Sequence, residues 1–450
     1  MRSWTAIGGI TLGTALLGAV IARSALQTPV VRSVDEKVLR EYSGVYQWEP
    51  NAFVYLQMWN ELTANRLVAF DESGQVQTLY PTHHDRFFAG AVAAVPASIE
   101  SRVEFQRDSN GDITSLTWRR DGVPPRIARR VDIERHEEVR FSNGDIQLTG
   151  TLISPIDTRK HPAIILVHGS GPLNREWMLP FARFLIRHGM AVLGYDKRGV
   201  GGSTGDWNTA SLDDLAGDVV AAFEYLKTRS EIDHGQIGLL GVSQAGWIMP
   251  LAALRAKDLA FLISVSGAGV PVAETTIDQT QNELTARGMR PEAVEQIVGI
   301  MKLQYQFART GRGWDDYAAA RQRLAARMGS PPDTFPASAD HPHWQVIRRL
   351  YFYDPAPTLR ELQVPTLALF GELDNNIVAE KNKAAWEAAL QAGGNRDYTL
   401  RILPRANHLQ LEAKVGSNAE MPSLQRFVPV YFTTVRDWLA TRIRGLGATP

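Results

Sequence analysis

Six short apolar runs recur along the last two-thirds of the chain, at 163–167, 191–195, 237–240, 261–265, 367–370 and 398–403. Stretches with helical apolar spacing punctuate them, at about 176–188, 211–228, 246–257, 379–391 and 422–443. A run that is apolar at every position is a strand buried on both faces, and its backbone then needs neighbours on both sides. Strands of this kind alternating with amphipathic helices predict an α/β fold, a mainly parallel, doubly wound sheet with helices on both faces. No other feature of the sequence restricts the architecture as much.

The alternation breaks once. Between Gly267 and about Pro355 no strand pattern occurs, while 273–287, 291–309, 315–328 and 342–352 read as helices. Two begin with acidic first turns, Asp315-Asp316 and Glu292 after Pro291, which suit a helix N-terminus. An insertion of this size at one sheet position predicts a helical cap at about 270–355. Upstream, 34–133 has another texture. Short runs rich in β-branched and aromatic residues, such as 44–48, 53–56, 66–70 and 103–105, are separated by Gly, Asn and Asp turns. A small, mainly-β, antiparallel domain is expected there, as sandwich or barrel. Asp108, Asn110 and Asp112 have a superficial calcium-loop spacing, but the glycine is misplaced and no Glu closes the loop, so a hairpin turn is expected. Ser142-Asn143-Gly144-Asp145 predicts a second hairpin, which opens the α/β region over 137–445.

At the start, Met1-Arg2 precedes an uncharged stretch from Ser3 to Ala22. A basic residue followed by an apolar run predicts that 1–25 is an export signal, with a periplasmic or secreted protein as the consequence. The run also has the length of a bilayer-spanning segment, so an uncleaved anchor tethering the protein to a membrane is the second expectation. Lys+Arg and Asp+Glu balance at 48 each, which leaves no global field to recruit nucleic acid. There are no cysteines, so disulfides, thiolate metal sites and cysteine nucleophiles are excluded.

Four segments end apolar runs with residues able to do chemistry. Gly241-Val242-Ser243-Gln244-Ala245-Gly246 follows the run at 237–240 and approximates the G-x-S-x-G turn that presents a nucleophilic serine, with Ala245 in place of the second glycine. Gly371-Glu372-Leu373-Asp374 closes the next-to-last run, where a carboxylate can hold an imidazole in the required tautomer; Glu372 is the alternative acid. Ala406-Asn407-His408 follows the last run, and His408 can take and return the serine proton. His168-Gly169-Ser170-Gly171-Pro172 ends the first run, and the backbone amides of Ser170 and Gln244 are the candidate oxyanion donors, with His168 shaping that loop. The other histidines, eight of ten, read as surface or structural residues. Neither a Walker A motif nor a full dinucleotide fingerprint occurs.

The order Ser243, Asp374, His408, together with His168-Gly169-Ser170-Gly171-Pro172 and Tyr195-Asp196-Lys197-Arg198-Gly199-Val200-Gly201-Gly202-Ser203, resembles the α/β-hydrolase superfamily. The likeness is to bacterial carboxylesterases near the serine aminopeptidase and prolyl oligopeptidase-like groups, and covers about two-thirds of the chain. It implies an α/β-hydrolase fold, a Ser-His-Asp triad acting through an acyl-enzyme, and no metal or organic cofactor. It also implies that Asp196 and Arg198 brace the loop in which they lie. A small-molecule ester is the expected substrate. Short peptides or aminoacyl amides are the alternative, for which Glu283 or Asp278 in the cap would anchor an amino terminus. A non-catalytic envelope binding protein that keeps the fold is the third reading. The β domain is expected either to bind or to pack against and stabilise the hydrolase region.

Overall fold

The computed structural model describes residues 31–59, 65–91, 99–328 and 334–446; the leader expected over 1–25 lies outside them. The first eight strands, β1 (Gly44–Glu49), β2 (Ala52–Met58), β3 (Leu67–Phe70), β4 (Val76–His83), β5 (Arg86–Gly90), β6 (Ser101–Arg107), β7 (Ile113–Arg119) and β8 (Arg126–Val131), form an antiparallel meander. Pairing of Tyr46 with Arg130 joins β1 to β8, so the sheet closes as a barrel and leaves no free edge. Period-2 alternation sends Val54, Leu56, Leu67 and Ala69 into a lumen filled by side chains, with Phe87, Phe105 and Leu116 opposite. The hairpin at Asp108 is held by its own carboxylate, which accepts from the Asn110 and Asp112 amides at 2.8 and 3.0 Å. Strands β4 and β8 escape the sequence pattern for local reasons. Pro81 interrupts the first beside a register shift, and in the second only Ala128 is buried between arginines.

The second sheet has eight strands in the order β16-β15-β14-β13-β11-β12-β10-β9. They are β9 (Glu134–Asn143), β10 (Ile146–Pro155), β11 (His161–Val167), β12 (Ala191–Tyr195), β13 (Ile232–Val242), β14 (Phe261–Val265), β15 (Thr366–Gly371) and β16 (Tyr398–Leu403). Strands β9 and β10 are antiparallel and the rest of the sheet is parallel from β12 to β16. This is the α/β-hydrolase fold expected from the sequence. Ile164, Leu166, Leu240 and Val242 pack on one face, and Ile165, Val167, Leu239 and Phe370 on the other. Both faces are therefore covered. Helices Leu212–Lys227, Ala245–Ala253 and Ala379–Ala392 lie on one side, and Val430–Ala440 on the other. Ser211 starts the first of these with a reciprocal Ser211–Asp214 capping box. Between β14 and β15 the chain runs through helices Val272–Ala286, Pro291–Thr310, Trp314–Met328 and His343–Leu350, which share a separate apolar core around Trp344, Phe307 and Tyr317. Among the described residues no helix is long and apolar enough to cross a membrane.

The barrel docks on the hydrolase sheet through the faces its lumen does not use. Tyr55, Val68, Phe70 and Val76 join Phe181, Phe184, Phe427 and Tyr431 in one core. Phe427 stacks parallel to Trp59 at 6.4 Å and lies edge-on to Phe181 at 5.7 Å. The backbone joins as well: Phe427 N donates to Gly74 O at 2.7 Å and Val76 N to Gln425 O at 2.8 Å. Gly74, at φ +94°, has no room for a side chain, since a Cβ would come 2.6 Å from Phe427 O. Two ion pairs flank this seam, Arg187 with Glu72, half-buried, and Arg183 with Glu134, buried. Burial pushes both carboxyls up, but His188 and Arg187 beside Glu72, and Arg183 and His136 beside Glu134, outweigh it and hold each at about 2.

Phe427→Ala is expected to cost about 3–5 kcal/mol, because the cavity it leaves is walled by rigid aromatic rings; denaturant unfolding measures it. Depressed carboxyl pKa values contribute stability that is complete above the unfolded value of 4.5 and is lost as pH falls through about 2. Stability is accordingly expected to decline from about pH 4.5 downward. A Glu72→Gln variant should start lower and show a shallower decline over the same window.

Candidate active site

Strand β13 ends at Val242 and helix Ala245–Ala253 begins three residues later, so the chain reverses in two residues. Ser243 sits at that reversal with φ +60°, a conformation that costs a non-glycine residue free energy and persists only when its surroundings enforce it. The enforcing contacts are Ser243 N to Val265 O at 3.0 Å and Gly246 N to Ser243 O at 2.9 Å. Ala245, which departs from the glycine of the motif, is accommodated by the residue opposite. A Cβ on Gly241 would fall 2.4 Å from the Ala245 Cβ, so the alanine methyl occupies the space that Gly241 leaves empty. The closest approach of helix to sheet moves one residue on: a Cβ on Gly246 would meet Ala268 N at 2.6 Å and Gly267 Cα at 2.7 Å.

Asp374 lies just past β15 with its side chain fully buried, and His408 Nδ1 lies 2.9 and 3.1 Å from its two oxygens. Asp374 Oδ1 also accepts the Asn376 and Ile377 amides, both at 2.8 Å. A carboxylate receiving two amide protons acts as acceptor toward the imidazole as well, so Nδ1 carries the proton and Nε2 is left for exchange. Glu372, the alternative acid, is exposed and accepts instead from Arg405 N at 2.8 Å. The histidine loop is shaped by buried Asn407, whose Oδ1 accepts from Leu409 N and Leu411 N at 3.0 and 2.9 Å. Leu411 pairs with Phe427, which ties this loop to the barrel seam.

Ser243, His408, Ser170 and Gln244 line one cleft of about 390 Å³ under the cap helices. Its apolar walls include Leu173, Trp177, Trp207, Trp247, Leu350 and Tyr351. Gly169 brings the loop after β11 against the serine, where a Cβ would lie 3.5 Å from Ser243 Cβ and 3.3 Å from Val242 O. Among the described residues neither the Ser170 nor the Gln244 amide donates to a protein acceptor. His168 is buried edge-on against Tyr195 at 4.7 Å, and burial followed by the Lys197 charge pushes it down to about 3, so the ring stays neutral. Asp196 accepts from Arg175 N, Arg175 Nη2 and Gly202 N at 2.8–2.9 Å, while Arg198 is forked onto Asp218 at 2.7 and 2.8 Å. Both brace the loop after β12. Asp278 is ion-paired with Lys381 at 2.6 Å, and Glu283 accepts from Asn418 N at 2.8 Å; neither lines the cleft. Lys197 and Asp218 had no assigned role in the sequence pattern. The available signal for Lys197 is a lysine two residues past a fully buried strand.

Residues 164–415 match the model of the alpha/beta hydrolase family. Esterase EstD of Thermotoga maritima is 25% identical over 292 residues, 63% of this chain and 62% of its own length. Dipeptidyl-peptidase 5 of Porphyromonas gingivalis is 22% identical over 81% of this chain and 48% of its own length. The chain thus spans less than two-thirds of the length of either relative. Among solved structures, an esterase of Pyrococcus furiosus covers 68% of this chain and 91% of its own with a TM-score of 0.43 at 17% identity. A proline iminopeptidase-related protein of Thermus thermophilus covers 69% and 100% with a TM-score of 0.44 at 18% identity.

Gly241→Ala is expected to destabilise by about 1–3 kcal/mol through overpacking against Ala245. Adding Ala245→Gly should recover part of that loss, since it removes the shortest of the new contacts. Chemical denaturation of the single and double variants measures the coupling.

Proposed function

The chain belongs to the alpha/beta hydrolase family, and from that premise we propose that it is a serine hydrolase that cleaves carboxylic esters through an acyl-enzyme. The observation that carries the reading is Ser243, held at φ +60° in the same cleft as an imidazole whose Nδ1 is engaged by buried Asp374. In this mechanism His408 Nε2 takes the proton of Ser243 Oγ as the oxygen attacks the acyl carbon. The carbonyl π electrons move onto oxygen, which the Ser170 and Gln244 amides receive, with the first turn of helix Ala245–Ala253 adding its positive end. The tetrahedral intermediate collapses, the alcohol leaves with the proton from His408, and water repeats the sequence to release the acid and free Ser243. Asp374 keeps the tautomer and offsets the imidazolium charge.

Esters rather than aminoacyl substrates are favoured by the cleft. Its walls are largely aromatic and aliphatic, and the acidic cap residues that would hold a substrate ammonium are engaged elsewhere. A peptidase reading rests on the dipeptidyl-peptidase relative and on a triad whose chemistry serves amides equally.

A panel of aryl and alkyl esters and aminoacyl amides, assayed with wild type and Ser243→Ala, tests this. Ester turnover that vanishes in the alanine variant is expected, and amide-only turnover would transfer the assignment to peptidases. Asp374→Asn should lower kcat by about 10⁴-fold with an intact fold, as expected when the wrong tautomer is stabilised. A fluorophosphonate should label wild type and leave Ser243→Ala unmodified; an unlabelled wild type points to a binding protein.

A further inference from the structure

Lys197 is a buried ammonium at the floor of the catalytic cleft. Its Nζ donates to Gly169 O at 2.8 Å and to Gln244 Oε1 at 2.9 Å, and lies 5.7 Å from the centroid of Trp207. These acceptors belong to the two segments that carry the oxyanion donors. Among the described residues no carboxylate stands within ion-pair distance of it. Asp196 is taken by Arg175, and Asp218 by Arg198 and Asn143. An ammonium buried on neutral acceptors is unfavourable, and a site that gains from positive charge offsets that cost.

We propose that Lys197 is a positioning residue that sets the oxyanion hole and presents a positive charge to the oxyanion as it forms, an inference that rests on the esterase reading above. The Gly169 carbonyl and the Ser170 N–H belong to one planar trans peptide and point in opposite directions. A donor clamped on the carbonyl therefore fixes the direction of the amide. The same contact polarises that peptide and strengthens its N–H as a donor. The bond to Gln244 Oε1 anchors the second donor residue by its side chain, so one ammonium couples two loops that are 75 residues apart (Gly169 to Gln244). No carboxylate pairs with this cation in the ground state; the nearby Asp196 and Asp218 are each neutralised by an arginine. In the transition state the acyl oxygen supplies a negative charge, and the interaction is then stronger than with substrate, the condition for raising kcat rather than lowering KM.

Burial, opposed by Asp218, pushes the Lys197 ammonium down to about 7. The ionisable groups around it are Asp218 and Asp196, each held by an arginine, the neutral His168, and His408 across the cleft. Above about pH 7 the neutral amine still donates its hydrogen bonds but brings no charge. The electrostatic part of the effect is present below that pH and lost above it.

The experiment compares kcat and KM of wild type, Lys197→Met and Lys197→Arg on an aryl ester between pH 5.5 and 9, with active sites titrated by fluorophosphonate. Lys197→Met is expected to lose at least about tenfold in kcat, less than the 10²–10³ of removing a donor outright, with KM nearly unchanged. The ratio of wild-type to Lys197→Met kcat should fall as pH rises through about 7, because the common His408 dependence cancels. Lys197→Arg should recover part of kcat at low pH and keep its charge throughout. If Lys197→Met does not fold, the wild-type to Lys197→Arg ratio decides in the same way, and must also fall through about pH 7. An unchanged kcat, a loss confined to KM, or a pH-independent ratio overturns the proposal. A wild type that hydrolyses no ester and takes no fluorophosphonate defeats the esterase reading itself; active wild type with indifferent variants defeats only the role of Lys197.

Discussion

The close approach of helix Ala245–Ala253 to the ends of β13 and β14 is the constraint on which the site depends. Three glycines permit it. Gly241 leaves space for the Ala245 methyl, and Gly246 and Gly267 let two backbones touch without intervening side chains. With the helix drawn in, Ser243 adopts φ +60° at the tight reversal and lines the cleft. A strained residue persists only where packing outweighs the strain, and here the end of β13 from Gln236 to Val242 and all of the helix but Leu251 are buried. The same geometry places the Gln244 amide at a helix N-terminus, where no intrahelical acceptor exists for it.

The other half of the site depends on longer-range support. His408 is carried on a loop that no helix or strand stiffens, and Asn407 folds the loop onto itself. Its return path pairs with 426–428, and that segment hydrogen-bonds to the turn between β3 and β4 of the barrel. The barrel's lumen is filled, while its outer face stacks against Phe427 and Phe181. These contacts give the barrel a structural part in holding the histidine loop. They also explain why β3 is buried at every position: one face looks into the lumen and the other onto the hydrolase sheet.

Much of this was legible from residue order. Five of the six runs correspond to strands buried on both faces, which leaves almost nothing but apolar side chains in them; the sixth, β16, is a part-exposed edge strand. The cap helices carry acidic first turns and regular apolar spacing, so they too are readable. Strands β4, β5, β7 and β8 were not: buried Pro81 sits beside a register shift in β4, and β8 exposes Arg126 and Arg129 on its solvated face. The sequence put Asp374 first as the acid and Glu372 as its alternative, without showing where either side chain goes. Both end the same strand, and only the backbone turn after Gly371 sends one into the core beside His408 and the other to solvent.

By itself, then, the sequence determined the layered α/β architecture and the chain order of serine, acid and histidine, because burial and turn chemistry act on neighbouring residues. Tertiary structure alone decided that Ala245 fits opposite Gly241 and that the barrel seam backs the histidine loop. It also decided that Lys197 joins the loops of Gly169 and Gln244. Each of these is a contact set by three-dimensional packing, and the last two join segments far apart in the chain. The energy of such a contact depends on distance and on what water is excluded, and neither quantity is written into local sequence.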